Sequence, residues 1–148
     1  MPTFEHTIDI AAPIDQVFAF NDDPQNWIRT NASLVSVDVG EETDDGIRMD
    51  TTYRLLGMEL DGGLTLSHVE PTEHTMVFEN GGMTGEIHFE YAETPTGTHV
   101  VQRADYEFGD SLRDRIVAPV AKMYNKRQFK QSLELTKDLV EAEAKIEA

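Results

Sequence analysis

Residues 11–27, AAPIDQVFAFNDDPQNW, interrupt a chain that otherwise alternates apolar and polar side chains, and they decide how the fold is interpreted. Pro13 suits the first turn of a helix, because its fixed backbone angle is helical and the N–H that it lacks would have no partner there. Ile14, Val17 and Phe18 follow at helical spacing. The first half of the stretch therefore predicts a short helix with one apolar face.

A second short helix is predicted from the Asn-Asp-Asp-Pro corner at residues 21–24. Side-chain oxygens of Asn and Asp cap the starts of helices, and Pro24 fits the first helical position. Trp27 is the only tryptophan of the chain. We expect it to anchor the packing of this second helix.

Strand patterns flank the two helices. Before them, residues 3–10 alternate apolar and polar positions, which predicts a half-buried strand. After them, period-two stretches are separated by turn signals, including Asp-Gly-Gly at residues 61–63, and such short connections make neighbouring strands antiparallel. Six further strands are predicted, over residues 34–40, 47–60, 64–70, 75–79, 83–93 and 99–108.

From residue 111 onward the alternation gives way to helical spacing, which predicts a long C-terminal helix. Pro119 would interrupt a helix interior, so the main helix is expected to begin near it, after a looser lead-in from residue 111. We expect this helix to pack on the core along one apolar stripe, which consists of Leu112, Ile116, Val120, Met123, Leu133 and Val140.

The length and composition limit the class of protein. A chain of 148 residues fits a single domain, which we expect to span residues 1–148. The absence of cysteine excludes disulfides, thiolate metal sites and cysteine nucleophiles. We find no apolar run approaching the roughly 18 residues that span a bilayer, and no basic N-terminus followed by an apolar stretch. The sequence therefore predicts a cytoplasmic protein without membrane insertion.

The charge is strongly negative and unevenly distributed. The net charge is −16, which would repel nucleic acids, so we expect no nucleic-acid partner. Residues 1–110 carry 22 acidic and 4 basic side chains, whereas residues 111–148 carry 6 and 8. The spread of acids resembles the composition of proteins from salt-accumulating organisms, and an ordinary acidic protein is the alternative.

Four segments carry a resemblance to a known superfamily. In their order along the chain they resemble the START-like or SRPBCC superfamily, particularly its polyketide cyclase/dehydrase-like proteins. The segments are IDIAAPIDQVFAFNDDPQNW at 8–27, GMELDGGLTLSHVEP at 57–71, GTHVVQRADYEF at 97–108 and LRDRIVAPVAKMYNKRQFKQSLELTKDLVE at 112–141.

This resemblance implies an α+β helix-grip fold. A seven-stranded curved antiparallel sheet would wrap around the long C-terminal helix, with two short helices between strands 1 and 2. It also implies a cavity for an apolar ligand between the sheet and that helix, closed at one end by the short helices. Trp27 would lie at or under this lid, or would serve only as a packing anchor.

The alternation of the strands selects candidate residues for such a cavity, although ordinary core packing also explains each of them. Polar members are the most informative, because burying them costs free energy unless they are paired. His68 could move a proton near neutral pH, and Arg127 could pair with a ligand carboxylate. The candidates are Trp27, Tyr53, Leu66, His68, Phe78, Met83, Phe89, Tyr91, Gln102, Tyr106, Met123 and Arg127.

No metal or cofactor site is predicted. The histidines, at positions 6, 68, 74, 88 and 99, lack the spacing of metal ligands. His88 lies between Glu86 and Glu90 on the outward face of its strand, which gives at most an adventitious site. We also find no nucleophile elbow and no phosphate-binding glycine loop, so no catalytic residue is assigned.

Three functions fit these observations. The first is binding of an apolar small molecule, such as a lipid, an isoprenoid or a polyketide-like compound, and this is our prediction. The second is a cyclase or dehydratase, which would need at least two polar groups converging on one substrate atom inside the cavity. The third is a protein-interaction module, which would show a filled core and an exposed apolar patch. The sequence does not indicate an oligomeric state.

Overall fold

The computed structural model describes the backbone of residues 3–55, 57–80, 83–109 and 112–147. Among these residues, the side chains at positions 3, 55, 80, 83, 108, 112–122, 124–125 and 147 lie outside the description. The described elements run in the order β1 (Thr3–Ile10), α1 (Ile14–Asp22), α2 (Pro24–Thr30), β2 (Leu34–Thr43), β3 (Gly46–Leu55), β4 (Met58–Val69), β5 (Glu73–Asn80), β6 (Met83–Thr94), β7 (Gly97–Phe108) and α3 (Leu112–Glu147).

The strands form a seven-stranded sheet in the order β1-β7-β6-β5-β4-β3-β2. All neighbouring strands are antiparallel. β1 pairs with β7, so α1 and α2 carry the chain from one edge of the sheet to β2 at the other edge. α3 packs against β1 and β7 and against both short helices. This arrangement confirms the predicted α+β helix-grip fold.

The two short helices form where the sequence predicts them. Pro13 lies one residue before α1, and Asp23 caps α2 by accepting a 3.0 Å hydrogen bond from the Gln25 N–H. Trp27 is buried, and its indole nitrogen donates a 2.8 Å hydrogen bond to the Asn21 carbonyl oxygen. That bond joins α2 to the end of α1, which fixes the angle between the helices.

The turn predicted at residues 61–63 is wrong. The chain turns instead between β3 and β4, where Gly57 has a φ of +77° that favours glycine. Residues 61–63 lie inside β4, and a Cβ atom on Gly63 would approach Arg48 Nη2 to 2.7 Å. The glycine in this strand therefore accommodates the Arg48 side chain of β3 rather than a turn.

The helix start predicted near Pro119 is also wrong. α3 begins at Leu112 and continues to Glu147 without interruption. A proline removes one backbone hydrogen bond, and the remaining bonds of so long a helix outweigh that loss. Within the described part of the chain, none of the helices combines the length and the apolar character that a bilayer crossing requires.

The core lies between the inner face of the sheet and the helices. Along β7, Val100, Gln102, Ala104 and Tyr106 all point inward and are at most 3% exposed. Burial at every second position is what alternation predicts for a strand with one face on a core. The inward rows of β3 to β7 therefore form one wall, opposite Leu133 and Val140 of α3.

Candidate functional site

A cavity lies between the middle of the sheet, α2 and the central part of α3. Most of its wall is apolar or aromatic, with a few hydroxyl and amide groups among these side chains. The lining consists of Asn21, Trp27, Thr30, Asn31, Leu34, Tyr53, Leu64, Met76, Phe78, Ile87, Phe89, Gln102, Phe129, Ser132, Leu133 and Thr136. An apolar wall with a few placed polar groups is typical of small-molecule sites.

The cavity is small in this conformation, with a volume of about 60 Å³. One water molecule needs roughly 10–15 Å³ of such space, so the cavity holds a few waters or a short part of a larger molecule. A lipid-sized ligand would require α2 or the side chains of α3 to move outward.

Gln102 is a buried polar residue of the cavity wall whose side chain is only partly paired. Its side chain lies in the cavity wall and is 3% exposed. Among the described residues, its Oε1 atom has no hydrogen-bond partner. A buried amide oxygen without a partner costs about 1–3 kcal/mol of stability. A donor in the cavity, from water or from a ligand, would remove that cost.

Tyr53 of β3 also lines the cavity. Burial raises the pKa of Tyr53 to about 12. The phenol therefore stays protonated near neutral pH and can donate a hydrogen bond to a ligand oxygen. Gln102 as acceptor and Tyr53 as donor give the cavity two groups that can orient one molecule.

The structure brings together five of the twelve residues that the sequence predicts to bind ligand. Leu66 and Tyr106 are buried in the core without lining the cavity, and the side chain of Met83 lies outside the described residues. His68 and Tyr91 belong to a separate polar cluster described below. The five in the wall are Trp27, Tyr53, Phe78, Phe89 and Gln102.

Met123 and Arg127 were expected to face the cavity, and this expectation is wrong. Met123 is 72% exposed, and Arg127 is also exposed. At 3.6 residues per turn, Met123 lies about 80° around the helix from Leu133, and Arg127 lies about 120° away. The buried face of α3 includes Phe129 and Leu133 instead.

Several lining residues were missed because they are polar side chains on helices. Thr30 and Thr136 are each 4% exposed, and their hydroxyls donate to carbonyl oxygens of their own helices. A hydroxyl bonded in this way needs no further partner for its proton, so a threonine can line an apolar space. The sequence signal for Thr136 was its spacing from Leu133 and Val140, which places it on the buried face.

A second group of polar residues adjoins the cavity at the end of α1. We call it the His–Asp cluster, and it consists of Asn21, Asp22, His68, His74 and Tyr91. His68 and His74 face each other across β4 and β5. Asp22 Oδ1 lies 3.1 Å from His68 Nδ1 and 3.0 Å from His74 Nε2. The carboxylate of α1 therefore joins two neighbouring strands.

The hydrogen bonds of the cluster have one consistent direction. Asn21 Nδ2 donates to Tyr91 Oη at 2.8 Å. Because the Asp22 carboxylate can only accept, a neutral His74 ring carries its proton on Nε2, and its Nδ1 accepts from the Tyr91 hydroxyl at 2.8 Å. His74 then donates through Nε2 to Asp22. Burial lowers the pKa of His74, and its hydrogen bond to Asp22 opposes that shift without reversing it. The His74 ring is therefore neutral at neutral pH.

Comparison with solved structures shows the fold. A protein of Thermus thermophilus is 14% identical, with a TM-score of 0.82 over 97% of this chain and 99% of the other. The Zhui aromatase/cyclase from a Streptomyces species is 15% identical, with a TM-score of 0.76 over 97% and 93%. The di-domain aromatase/cyclase StfQ of steffimycin biosynthesis is 13% identical, with a TM-score of 0.76 over 96% of this chain and 52% of StfQ.

Comparison of the sequence shows the family. None of the curated proteins matches this chain. The model of the family described as polyketide cyclase/dehydrase and lipid transport matches residues 1–141, which is nearly the whole chain. With its helix-grip fold and its largely apolar cavity, the chain therefore belongs to the polyketide cyclase/dehydrase and lipid transport family.

Proposed function

We propose that this protein binds an apolar small molecule, such as a lipid, an isoprenoid or a polyketide-like compound, in the cavity between the sheet and α3. The observation that carries the proposal is the Gln102 amide oxygen, which is buried in a largely apolar wall without a partner among the described residues. A bound molecule with one hydroxyl or similar donor would satisfy it. Family membership supports the same class of ligand.

Apolar contacts would supply most of the affinity. Phe78, Phe89 and Phe129 line the cavity together with Leu64 and Met76. Removing apolar surface from water contributes about 25 cal/mol per Å², so a ligand needs little polar contact to bind. The two oriented polar groups, Gln102 and Tyr53, would then select among apolar molecules by the position of an oxygen.

Ligand binding is better supported than catalysis. Among the described lining residues, none carries a carboxylate, an imidazole or an amine. An aldol closure or a dehydration requires a group that removes a proton from carbon, and amides and alcohols are poor bases. Cyclase activity therefore remains the second candidate, favoured only by the Asn21 amide, which links the cavity wall to His74 through Tyr91.

The first experiment is organic extraction of gently purified protein, with mass spectrometry of any compound that co-purifies. We expect one apolar compound in near-stoichiometric amount. Phe89→Trp, which adds bulk to the cavity wall, should abolish its recovery. Val77→Trp adds the same side chain at a position that is 53% exposed, and it should retain the compound. Equal loss in both variants would contradict binding in the cavity.

Trp27 offers a second readout, because it is the only tryptophan and lies in the cavity wall. Titration with oleic acid or an aromatic polyketide should change its fluorescence in a saturable way. Trp27→Phe should remove the signal while extraction still recovers the ligand. Formation of a cyclised product from a poly-β-keto substrate would instead move the assignment to the enzyme alternative.

We also propose that the acidic composition is an adaptation to high salt. Carboxylates in excess repel one another in dilute buffer, and added salt screens that repulsion. The free energy of unfolding should therefore rise steadily with KCl up to molar concentrations. A free energy that is unchanged by KCl would indicate an ordinary acidic protein. The cytoplasmic location and the single domain over residues 1–148 stay predictions.

A further inference from the structure

Three possible metal-ligating atoms from three different elements converge in the His–Asp cluster. They are Asp22 Oδ1 at the end of α1, His68 Nδ1 of β4 and His74 Nε2 of β5. All three lie within 4.8 Å of one another. This convergence depends on the strand register, which places His68 directly opposite His74, and is invisible in the linear spacing of the histidines.

The separations suit a shared cation. A divalent ion bonded to nitrogen and oxygen at about 2.0–2.2 Å, with bond angles of 90–110°, holds neighbouring ligand atoms roughly 2.9–3.5 Å apart. The oxygen of Asp22 lies 3.1 Å from His68 Nδ1 and 3.0 Å from His74 Nε2. The two ring nitrogens lie within 4.8 Å of each other, so one ion can reach all three atoms after small side-chain shifts.

The surroundings hold the two rings in different ways. His74 is fully buried, stacks on Phe18 with 4.2 Å between ring centroids, and has its other nitrogen held by Tyr91. With a metal on Nε2, the His74 ring would carry its proton on Nδ1 and donate it to Tyr91 Oη. Such outer contacts orient the ligands in metal sites. His68 is 41% exposed, and Asp22 is 39% exposed. A cation could therefore reach the cluster from solvent, and water could occupy its remaining coordination positions.

The electrostatic environment also favours a cation. The Asp22 carboxylate brings one negative charge into the cluster itself. The net charge of the chain is −16. The net charge attracts cations to the molecule, and the carboxylate attracts a divalent ion to the cluster.

We propose that Asp22, His68 and His74 bind one divalent transition-metal ion of the zinc or cobalt type. Two imidazoles and one carboxylate suit these ions, and the exposed side leaves coordination positions open. The proposal replaces the expectation of no metal site that linear spacing gave. It is independent of the proposed ligand binding, because the cation would lie at the end of α1 and outside the cavity.

A second group of possible ligands offers a matched control. Glu73, His88 and Glu90 also lie within metal-ligating reach of one another. There, however, Glu90 already forms an ion pair with Arg103 at 3.1 Å. This ion pair competes with a metal for the Glu90 carboxylate, so we assign the site to the His–Asp cluster.

The test uses the whole protein after treatment with EDTA. Calorimetric titration with Zn²⁺ should show one equivalent bound, and Co²⁺ should give a visible d–d spectrum. His68→Gln and Asp22→Asn should each lower the affinity at least about tenfold, since loss of even an outer contact costs 10–100-fold. His88→Gln should leave both readouts unchanged.

His68 is partly exposed, so we expect His68→Gln to fold, and far-UV circular dichroism without metal checks this. Absence of a Co²⁺ spectrum would overturn the proposal. Full binding by folded His68→Gln, or loss of binding in His88→Gln alone, would also overturn it. In the last case the ion would occupy the Glu73, His88 and Glu90 group instead.

Discussion

Asn21 Nδ2 donates a 2.8 Å hydrogen bond to Tyr91 Oη, and this contact joins the wall of the ligand cavity to the His–Asp cluster. Both residues are buried, at 6% and 3% exposure. Tyr91 also contacts His74 Nδ1, so its hydroxyl is the hydrogen-bond partner of two buried polar atoms. The stability of the cluster should therefore depend on one oxygen atom.

Tyr91→Phe tests this dependence. The variant leaves Asn21 Nδ2 and His74 Nδ1 without their partner, and we expect a loss of about 1–3 kcal/mol in the free energy of unfolding, measured with urea. Thr52→Val is a suitable control, because the hydroxyl of Thr52 bonds Asp61 on the surface. Its cost should stay within about 0.5 kcal/mol. Equal costs for the two variants would show that the buried hydrogen bonds of Tyr91 add nothing to the free energy of unfolding.

Glu141 should stabilise the contact between α3 and the connection from β1 to α1. It accepts a 2.8 Å hydrogen bond from the Ala11 N–H and another from Lys137 Nζ. These bonds lower the pKa of Glu141 below its ordinary value of 4.5, and the bond from the Ala11 N–H has a larger effect than the bond from Lys137. As the pH falls, Glu141 therefore takes up a proton at a higher pH in the unfolded chain than in the folded protein. Its contribution to the free energy of unfolding is present above pH 4.5 and is lost progressively below it.

Glu141→Gln should cost roughly 0.5–1 kcal/mol at pH 7, because the contact is partly exposed. The difference from the unsubstituted protein should shrink as the pH falls below 4.5, which urea unfolding at several pH values measures. Glu134→Gln removes an exposed carboxylate of the same helix and should show neither effect. A cost for Glu141→Gln that is constant with pH would contradict the role of the charge.

Gly85 should tolerate no side chain, because β6 and β7 approach closely there. A Cβ atom on Gly85 would lie 2.3 Å from the Asp105 carbonyl oxygen and 2.5 Å from Tyr106 Cβ. We expect Gly85→Ala to lower the free energy of unfolding by about 1–3 kcal/mol. Thr84→Ala, at the exposed neighbouring position, should cost less than 1 kcal/mol. A thermal midpoint unchanged by Gly85→Ala would contradict this close approach.

The sheet could be predicted from sequence because apolar and polar residues alternate along each strand that buries one face. The error at residues 61–63 has a physical cause, since Asp-Gly-Gly is a strong local turn signal. Gly63 is needed in the strand for the contact with Arg48, whose position depends on pairing between β3 and β4. Local residue preference contains no information about that pairing.

The candidate site was only partly predictable. Gln102 could be recognised because a polar residue interrupts the apolar row of β7, and such an exception is visible in one strand. Met123 was placed wrongly because its spacing from Val120 was joined to that of Leu133 and Val140 in one stripe, although an ideal helix puts Met123 about 80° from Leu133. His74 was missed because its partners Asp22 and His68 come from other elements, and only the folded register brings them together.

The most direct test of ligand binding compares Gln102→Leu with Gln16→Leu. Both replace a side-chain amide that has an unpaired buried atom among the described residues, and only Gln102 lines the cavity. Affinity for the compound recovered by extraction would be measured by calorimetry, and stability by urea unfolding. We expect Gln102→Leu to bind about tenfold more weakly, which corresponds to one hydrogen bond of about 1.4 kcal/mol. Its stability should be unchanged or higher, and Gln16→Leu should bind normally. Unchanged affinity in Gln102→Leu, or no bound compound in the unsubstituted protein, would contradict ligand binding at this cavity.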